Sequence, residues 1–166
     1  LGTLTGEEAR AREIADFYSG ALKDVSDRVA KAGTAKPKVY VEFGNKGPAE
    51  YSFTYGKNMW GAMSTAAGAD NIAAPFVEWW GPINPEQVLA SAPDAIFISG
   101  RENNKSDTAL PMGQSVKADE ARTKLKASET RQGWDQLTAV MNGKPSGVYP
   151  GAWGKLADRS LITILS

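Results

Sequence analysis

The sequence contains neither cysteine nor histidine among its 166 residues. The absence of these two residue types removes cysteine and histidine nucleophiles, histidine general bases and most zinc sites. The chain therefore lacks the side chains that enzymes use most often in catalysis. This composition favours a binding protein over an enzyme, and no resident cofactor or metal is expected.

The chain also lacks an excess of charge of either sign, since it has 19 basic and 19 acidic side chains. A balanced charge without clusters of lysine and arginine argues against nucleic acid or a charged membrane surface as the main partner. No stretch of about 18 consecutive apolar residues is present, so no membrane-spanning helix is predicted. The length suits one domain with a core of its own.

The first part of the chain, residues 5–31, has the pattern of one long amphipathic helix. Thr5 and Glu8 have the spacing of a capping box at its start. Apolar residues then recur every three or four positions, and Gly33 ends the pattern. Such a helix would be roughly 40 Å long. Because this exceeds what a small domain needs for its own packing, we expect the helix to brace a structure outside the domain.

Short apolar strands alternate with helices along the rest of the chain. The predicted strands are VYVEF, residues 71–73, DAIFIS and SGVYP. The predicted helices are residues 59–67, a helix from Pro85 capped by Asn84, residues 117–128, residues 134–143 and the terminal GKLADRSLITILS. This alternation predicts an α/β fold in three layers, with a mainly parallel central sheet flanked by helices.

Aromatic side chains gather where the predicted strands and their loops meet. Ligands of open α/β sheets bind beyond the carboxyl ends of the strands. The candidate ligand-binding residues at this edge are Glu42, Tyr51, Phe53, Tyr55, Trp79, Trp80, Arg101 and Trp153. Aromatic rings with one arginine suit a large, flat or partly apolar ligand, held by stacking and a few polar contacts.

Each candidate also has a structural interpretation. A single aromatic ring near a strand end can simply cover the edge of the sheet, and Trp134 is expected in the core. Arg101 could pair with a nearby acid, and Glu42 could equally form a salt bridge or contact a ligand. Of the adjacent Trp79 and Trp80, at most one is expected to face inward.

Motifs of common catalytic and metal sites are missing from the sequence. The acidic residues lack the alternating spacing of a calcium-binding loop. GNKG and GAWGK contain glycines but do not form a phosphate-binding motif. No serine lies in a nucleophile elbow. An enzymatic function therefore has little support.

Four stretches of the sequence resemble one protein family. WWGPINPEQVLASAPDAIFISG looks like a segment of the helical-backbone periplasmic binding proteins, which serve ABC importers of siderophores, haem, cobalamin and related metal chelates. YGKNMWGAMSTAAGADNIA resembles their helix and the AGG-x-N turn after it. GWDQLTAVMNGKPSGVYP resembles their W-x-x-L-x-A-V-x-x-G-x-V-Y segment. LTGEEARAREIADFYSGALKDVSDRV resembles the end of the rigid helix that joins their two lobes.

The resemblance covers nearly the whole chain and implies how it is divided. Residues 1–33 would be the inter-lobe linker helix, and residues 34–166 the C-terminal α/β lobe of a binding protein whose N-terminal lobe and export signal are absent here. The implied protein is periplasmic, or an extracellular lipoprotein anchored to the membrane, and monomeric. It would capture a metal chelate, with an iron–siderophore complex as the first expectation, and deliver it to a membrane permease.

The resemblance also implies roles for two residues. Trp80 matches a tryptophan that lines the cleft in cobalamin-binding relatives, and Glu86 matches a surface glutamate that docks onto arginines of the permease. A carboxylate in a first helical turn also stabilises the helix through its dipole, so Glu86 has this simpler interpretation as well. The chain has no histidine to ligate haem, whereas a tyrosine ligand is left open.

Two other functions are compatible with the same residues. The lobe could be a ligand-sensing module of a signalling protein that has lost transport. It could also be a metal-dependent α/β enzyme that uses Glu42 or Asp107, which would need a second acid or metal ligand at the same strand ends.

Overall fold

The computed structural model describes residues 1–33, 36–102, 108–113 and 115–141, and the backbone of two strands further on. The helices are α1 (Gly2–Thr5), α2 (Glu8–Ala32), α3 (Met59–Ala66), α4 (Pro85–Ser91), α5 (Ala118–Ser128) and α6 (Thr138–Met141), with a short 3-10 helix at Trp134–Gln136. The strands are β1 (Lys38–Phe43), β2 (Phe53–Tyr55), β3 (Asp70–Asn71), β4 (Trp80–Pro82), β5 (Ala95–Ser99), β6 (Gly147–Val148) and β7 (Ile162–Leu165).

The strands form one sheet in the order β4–β2–β1–β5–β7–β6, and β3 also pairs with β1. β1 runs parallel to β5 and to β3, whereas the β1–β2, β2–β4, β5–β7 and β6–β7 pairs are antiparallel. The α/β class is therefore confirmed, but the sheet is mixed rather than mainly parallel. β2 lies in a segment expected to be a polar loop. Its connection to β1, residues 44–52, is too short for a parallel crossover, so β2 returns antiparallel.

The end of the chain differs from its predicted helix. Residues Ile162–Leu165 form β7, which pairs antiparallel with β5 from Ile162 opposite Ser99 to Leu165 opposite Ile96. The run of Ile162, Thr163 and Ile164 is β-branched, and such side chains pack well on a pleated surface and less well in a helix. Helical spacing of apolar residues was therefore a weaker signal here than residue type.

The pairing register divides the sheet residues between two faces. Tyr40, Glu42, Thr54, Ile96 and Ile98 lie on one side, which we name the core face. Helices α4 and α5 and the 3-10 helix cover this face through Val88, Leu125 and Trp134, which belong to the same buried cluster as Tyr40 and Ile96. Apolar burial against these helices supplies the main core of the protein.

The opposite side, which we name the aromatic face, carries Val41, Phe43, Phe53, Tyr55 and Phe97. Val41, Phe43 and Tyr55 form a small buried cluster, and Trp60 of α3 and Phe97 pack against it. This cluster places α3 on the aromatic face, so helices flank the sheet on both sides as predicted. The edge of this face towards β2 and β4 is the region where the candidate residues meet.

Close backbone packing fixes α3 against β2. A Cβ atom at Gly61 would lie 1.8 Å from the carbonyl oxygen of Gly56, so only glycine permits this approach. The Asn71 side-chain amide donates to the carbonyl oxygens of Tyr55 and Gly56 at 2.8 and 2.7 Å. These contacts hold the end of β2, and with it Tyr55, in one position.

The N-terminal helix is confirmed in extent but not in its start. Gly6 adopts a left-handed conformation with φ 74°, which ends α1 and separates it from α2. Glu7 rather than Thr5 precedes the first residue of α2, and the Thr5 hydroxyl donates back to the carbonyl oxygens of Leu1 and Gly2. The 25-residue α2 has no buried residue. Its place as a linker between two lobes stays a prediction.

Helix α4 begins as its sequence predicts. The Asn84 side chain accepts a hydrogen bond from the Glu86 amide at 2.9 Å, and Pro85 occupies the first turn. The helices expected at 59–67 and 117–128 are present as α3 and α5, whereas the one expected from Trp134 is interrupted at Leu137. Within the residues described, none of the helices has both the length and the apolar character needed to cross a bilayer.

Candidate functional site

The structure brings four of the predicted ligand-binding residues together on the aromatic face. Antiparallel pairing sets Tyr55 opposite Trp80, and Phe53 lies two residues before Tyr55 on the same side of β2. The Trp80 ring meets Phe53 edge to face with 4.6 Å between the ring centroids, and its centroid lies 6.0 Å from that of Phe43. Both distances fit favourable aromatic packing.

Arg101 adds a positive charge to this group of rings. It follows β5, and its guanidinium carbon lies 4.5 Å from the centroid of the Phe43 ring. The Arg101 side chain is exposed, so this cation–π contact orients a cation that still faces solvent. We name the set Phe43, Phe53, Tyr55, Trp80 and Arg101 the aromatic wall.

The members of the aromatic wall differ in exposure. Trp80 is 47% exposed and Phe53 36%, whereas Phe43 and Tyr55 are buried. Burial raises the pKa of Tyr55, although its hydrogen bond with Ser99 and the charge of Arg101 act in the other direction. Tyr55 is therefore a neutral phenol at physiological pH, and its buried ring forms the inner part of the aromatic wall. Trp80, Phe53 and Arg101 present the surface that a ligand could reach.

Trp79 lies outside the aromatic wall. It is 63% exposed, and its carbonyl oxygen accepts a hydrogen bond from the Gly56 amide at 2.8 Å, which continues the β2–β4 ladder by one residue. Trp79 lies in a bend just before β4, so the strand pairing that sets Trp80 opposite Tyr55 does not include it. Neither tryptophan is buried, which agrees with the expectation that at most one of the pair faces inward.

Glu42 and Tyr51 lie on the core face instead of the aromatic face. Glu42 is 2% exposed, and its two carboxylate oxygens accept hydrogen bonds from Arg131 at 2.7 and 3.0 Å. The Tyr40 hydroxyl donates to the same carboxylate at 2.9 Å. Of the two interpretations of Glu42, the structure supports the salt bridge, since a carboxylate with these partners is closed to a ligand.

Tyr51 takes part in the same buried group. The Arg131 guanidinium lies between two rings, with its carbon 4.4 Å from the centroid of Tyr51 and 4.3 Å from that of Trp134. The Trp134 indole nitrogen donates to the Tyr51 hydroxyl at 2.7 Å. Trp134 is fully buried, as expected. Tyr51 remains half-buried, so it is still partly accessible to solvent.

Sequence reasoning missed two residues that organise the site. Phe43 was seen only as the end of a strand, although it holds Arg101. Arg131 gave no signal at all, because its partner Glu42 lies 89 positions away in the sequence. The one available hint was that a lone acid in an otherwise apolar strand, VYVEF, needs a buried cation.

The remaining predicted residues have separate places. Glu86 is exposed in the first turn of α4, as its predicted role requires. Trp153 and Asp107 lie outside the described residues. In the portion of the chain that is described, no three acidic side chains converge in a way that could hold a metal ion. The aromatic wall can therefore stack on an apolar surface and attract negative charge.

Comparison with known proteins identifies the fold family. The profile of the family described as "Periplasmic binding protein" matches residues 1–146. The chain belongs to the periplasmic binding protein family. The TroA-like periplasmic binding protein FepB from Veillonella parvula is 43% identical to it, with a TM-score of 0.77 over 85% of this chain and 41% of the FepB chain.

More distant structures share the fold of this periplasmic binding protein. A periplasmic heme binding protein from Pseudomonas aeruginosa is 23% identical, with a TM-score of 0.61 over 90% of this chain and 48% of its own. An ABC transporter substrate-binding protein from Listeria monocytogenes is 19% identical, with a TM-score of 0.63 over 85% of this chain and 48% of its own. A search of curated proteins gives no significant match.

Family membership settles two of the predictions. The family and the Veillonella parvula relative are described as periplasmic binding proteins, so the prediction of a non-enzymatic protein is confirmed and the enzyme alternative is set aside. The family also implies a location in the periplasm or outside the cell. The chain covers between 41% and 48% of the length of each of these three structures, which is less than half.

Proposed function

We propose that this chain is one lobe of the solute-binding component of an ABC importer, and that it captures a metal chelate of the iron–siderophore type. The observation that carries the proposal is the aromatic wall, on which exposed Trp80 and Phe53 rings lie beside the Arg101 guanidinium. Rings and a cation on one face suit a ligand that combines flat apolar surface with negative charge.

The chemistry of a chelate matches the groups that the wall offers. In a ferric siderophore complex the chelator supplies the oxygen ligands, so the protein needs no metal ligands of its own. Aromatic stacking and one charge-assisted contact would then recognise the chelator rather than the iron. Haem, which the Pseudomonas aeruginosa relative binds, has a flat ring and carboxylates and is the closest competing ligand.

Delivery to a permease and the arrangement of the complete protein belong to the same proposal. The exposed Glu86 at the start of α4 is the group that would dock onto basic residues of the permease. Residues 1–33 would link this lobe to a second lobe, with the chelate bound in the cleft between them, in a monomeric protein anchored as a lipoprotein or free in the periplasm. No residue of α2 is buried, and its apolar residues Phe17 and Leu22 are more than half exposed, which supports this arrangement.

The proposal is tested by identifying what the complete protein binds. Native mass spectrometry of the protein purified from its source would detect a co-purified metal chelate as an added mass. Titration with a ferric catecholate complex, a neutral ferric hydroxamate complex and haemin, followed by tryptophan fluorescence, would then rank the three classes. We expect the anionic ferric catecholate to bind best because of Arg101. Preference for haemin would redirect the proposal to haem, and failure of all three probes would contradict it.

A further inference from the structure

The side chain of Arg131 holds a segment that is remote from it in sequence. Its Nε donates to the carbonyl oxygen of Pro48 at 2.8 Å, and its Nη2 donates to the carbonyl oxygen of Glu50 at 2.9 Å. These two bonds add to the paired contacts with Glu42, so four hydrogen bonds fix one guanidinium. Arg131 thereby joins the turn after α5 to the middle of residues 44–52.

Residues 44–52 lead directly into the aromatic wall. Gly44 is fixed at the start of this segment by hydrogen bonds with Ser99 and Leu110, at 2.7 and 2.9 Å. At its end, the Ser52 hydroxyl donates to Asn45, and the next residue is Phe53, whose ring packs against Trp80. The carbonyl oxygens at 48 and 50, between these ends, are the ones that Arg131 holds. The position of Arg131 is therefore coupled to the place where β2 begins.

We propose that Arg131 is a positioning residue for the aromatic wall, which it keeps preformed through residues 44–52 without touching the ligand. This inference rests on the proposed function for its consequence in binding. A wall that is fixed before the ligand arrives loses less conformational freedom on binding, which strengthens affinity. Arg131 would then set affinity from the opposite face of the sheet.

The planarity of the guanidinium is what this role requires. A lysine ammonium can still neutralise Glu42, but it has three donors on a compact head and cannot stack as a plane between Tyr51 and Trp134. Arg131→Lys therefore keeps the buried ion pair and removes the contacts to residues 44–52. Arg122→Lys is the matched control, because Arg122 is exposed on α5 and pairs with Asp119 at 2.8 Å.

The experiment compares both variants in the complete protein by amide hydrogen exchange and by titration with a ferric catecholate complex. We expect Arg131→Lys to speed exchange in residues 44–52 by on the order of tenfold, with β5 unchanged, and to weaken binding by on the order of tenfold. Arg122→Lys should change neither. A purely structural role would instead speed exchange uniformly through the lobe.

Three outcomes would overturn the inference. Unchanged exchange in residues 44–52 would mean that Arg131 does not hold the segment, and a uniform change would mean that it acts only on stability. Faster exchange with undiminished binding would mean that the segment does not position the wall. If the unaltered protein bound no probe, the proposed function would fail, while exchange in residues 44–52 would still decide whether Arg131 holds them.

A second variant keeps the test decisive if Arg131→Lys does not fold. The double substitution Glu42→Gln with Arg131→Gln removes both buried charges together, so that no unpaired ion is left in the core. It also removes the donors to Pro48 and Glu50 in their present geometry. The same local rise in exchange and the same loss of binding are expected, and their absence would overturn the inference.

Discussion

Two arginines lie over aromatic rings on opposite faces of the sheet. On the core face, Arg131 is 5% exposed and sits between Tyr51 and Trp134, with Glu42 as its counter-ion. On the aromatic face, Arg101 lies 4.5 Å from the Phe43 centroid and is exposed. The same pairing of an arginine with an aromatic ring therefore stabilises the interior on the core face and forms part of the exposed surface on the aromatic face. The degree of burial distinguishes the two arginines.

Replacing Arg131 should lower the free energy of unfolding much more than replacing Arg101. Arg131→Met leaves the Glu42 carboxylate buried without its cation, so we expect a loss of about 3–5 kcal/mol in the free energy of unfolding. Arg101→Met removes an exposed cation–π contact, for which we expect about 1 kcal/mol or less. Urea unfolding followed by circular dichroism measures both. Equal losses for the two variants would contradict the assignment of the faces.

Ligand binding should instead depend on the aromatic wall, and the neighbouring residues Trp80 and Trp79 test this. Trp80→Ala removes an exposed ring of the wall, and we expect a loss of about 2 kcal/mol, or about 30-fold in Kd, for a ferric catecholate complex. Trp79→Ala is the matched control, because Trp79 is the neighbouring exposed tryptophan and lies outside the aromatic wall. Calorimetric titration of both variants makes the comparison. A larger loss for Trp79→Ala would mean that the ligand binds at the bend before β4 and not at the aromatic wall.

The two faces also show what the sequence could predict. The cap of α4 is local, since Asn84, Pro85 and Glu86 are consecutive, and the structure reproduces it. Helix α3 and strands β1 and β5 likewise follow from residue type and spacing over a few positions. The family resemblance, which summed such local patterns over most of the chain, is confirmed by the family match.

The same reasoning could not predict contacts between residues that are far apart in the sequence. The partner of Glu42 lies 89 positions along the chain, and no pattern in the residues near Glu42 specifies Arg131. β2 consists of Phe, Thr and Tyr, which favour strands, but a run of three such residues is too short to predict a strand by itself. Its place between β1 and β4 depends on pairing with residues elsewhere in the chain. Which aromatic residues reach the surface depends on this register, and the candidate list therefore mixed both faces.

Alkaline pH offers a third contrast between the faces, through their buried tyrosines. Burial, followed by the Glu42 charge, raises the pKa of Tyr40 well above its ordinary value. Between that value and the higher folded-state pKa, the folded protein binds more protons than the unfolded chain, so stability falls as pH rises above about 10. The slope is at most about 1.4 kcal/mol per pH unit for one group.

Tyr40→Phe should flatten this alkaline decline, because it removes the titrating hydroxyl. It also removes the hydrogen bond to Glu42, so the variant starts from a lower stability at neutral pH. Tyr55→Phe, on the aromatic face, should flatten the decline less, since the pKa of Tyr55 is raised but not as far. Urea unfolding between pH 8 and about 11 tests this. An unchanged slope in Tyr40→Phe would mean that another group controls alkaline unfolding.

The smallest expected effect on the lobe itself concerns the start of α4, where two neighbours have different roles. Asn84→Ala removes the cap and should cost about 1 kcal/mol of stability. Glu86→Gln keeps the backbone bond to Asn84 and loses only a favourable charge near the helix start, about 0.5 kcal/mol. Glu86→Gln should nevertheless slow uptake of the chelate by cells, while Kd for the chelate stays the same. Slower uptake together with weaker binding would mean that Glu86 contributes to recognition of the chelate and not to docking. Normal uptake would mean that Glu86 only stabilises the start of α4.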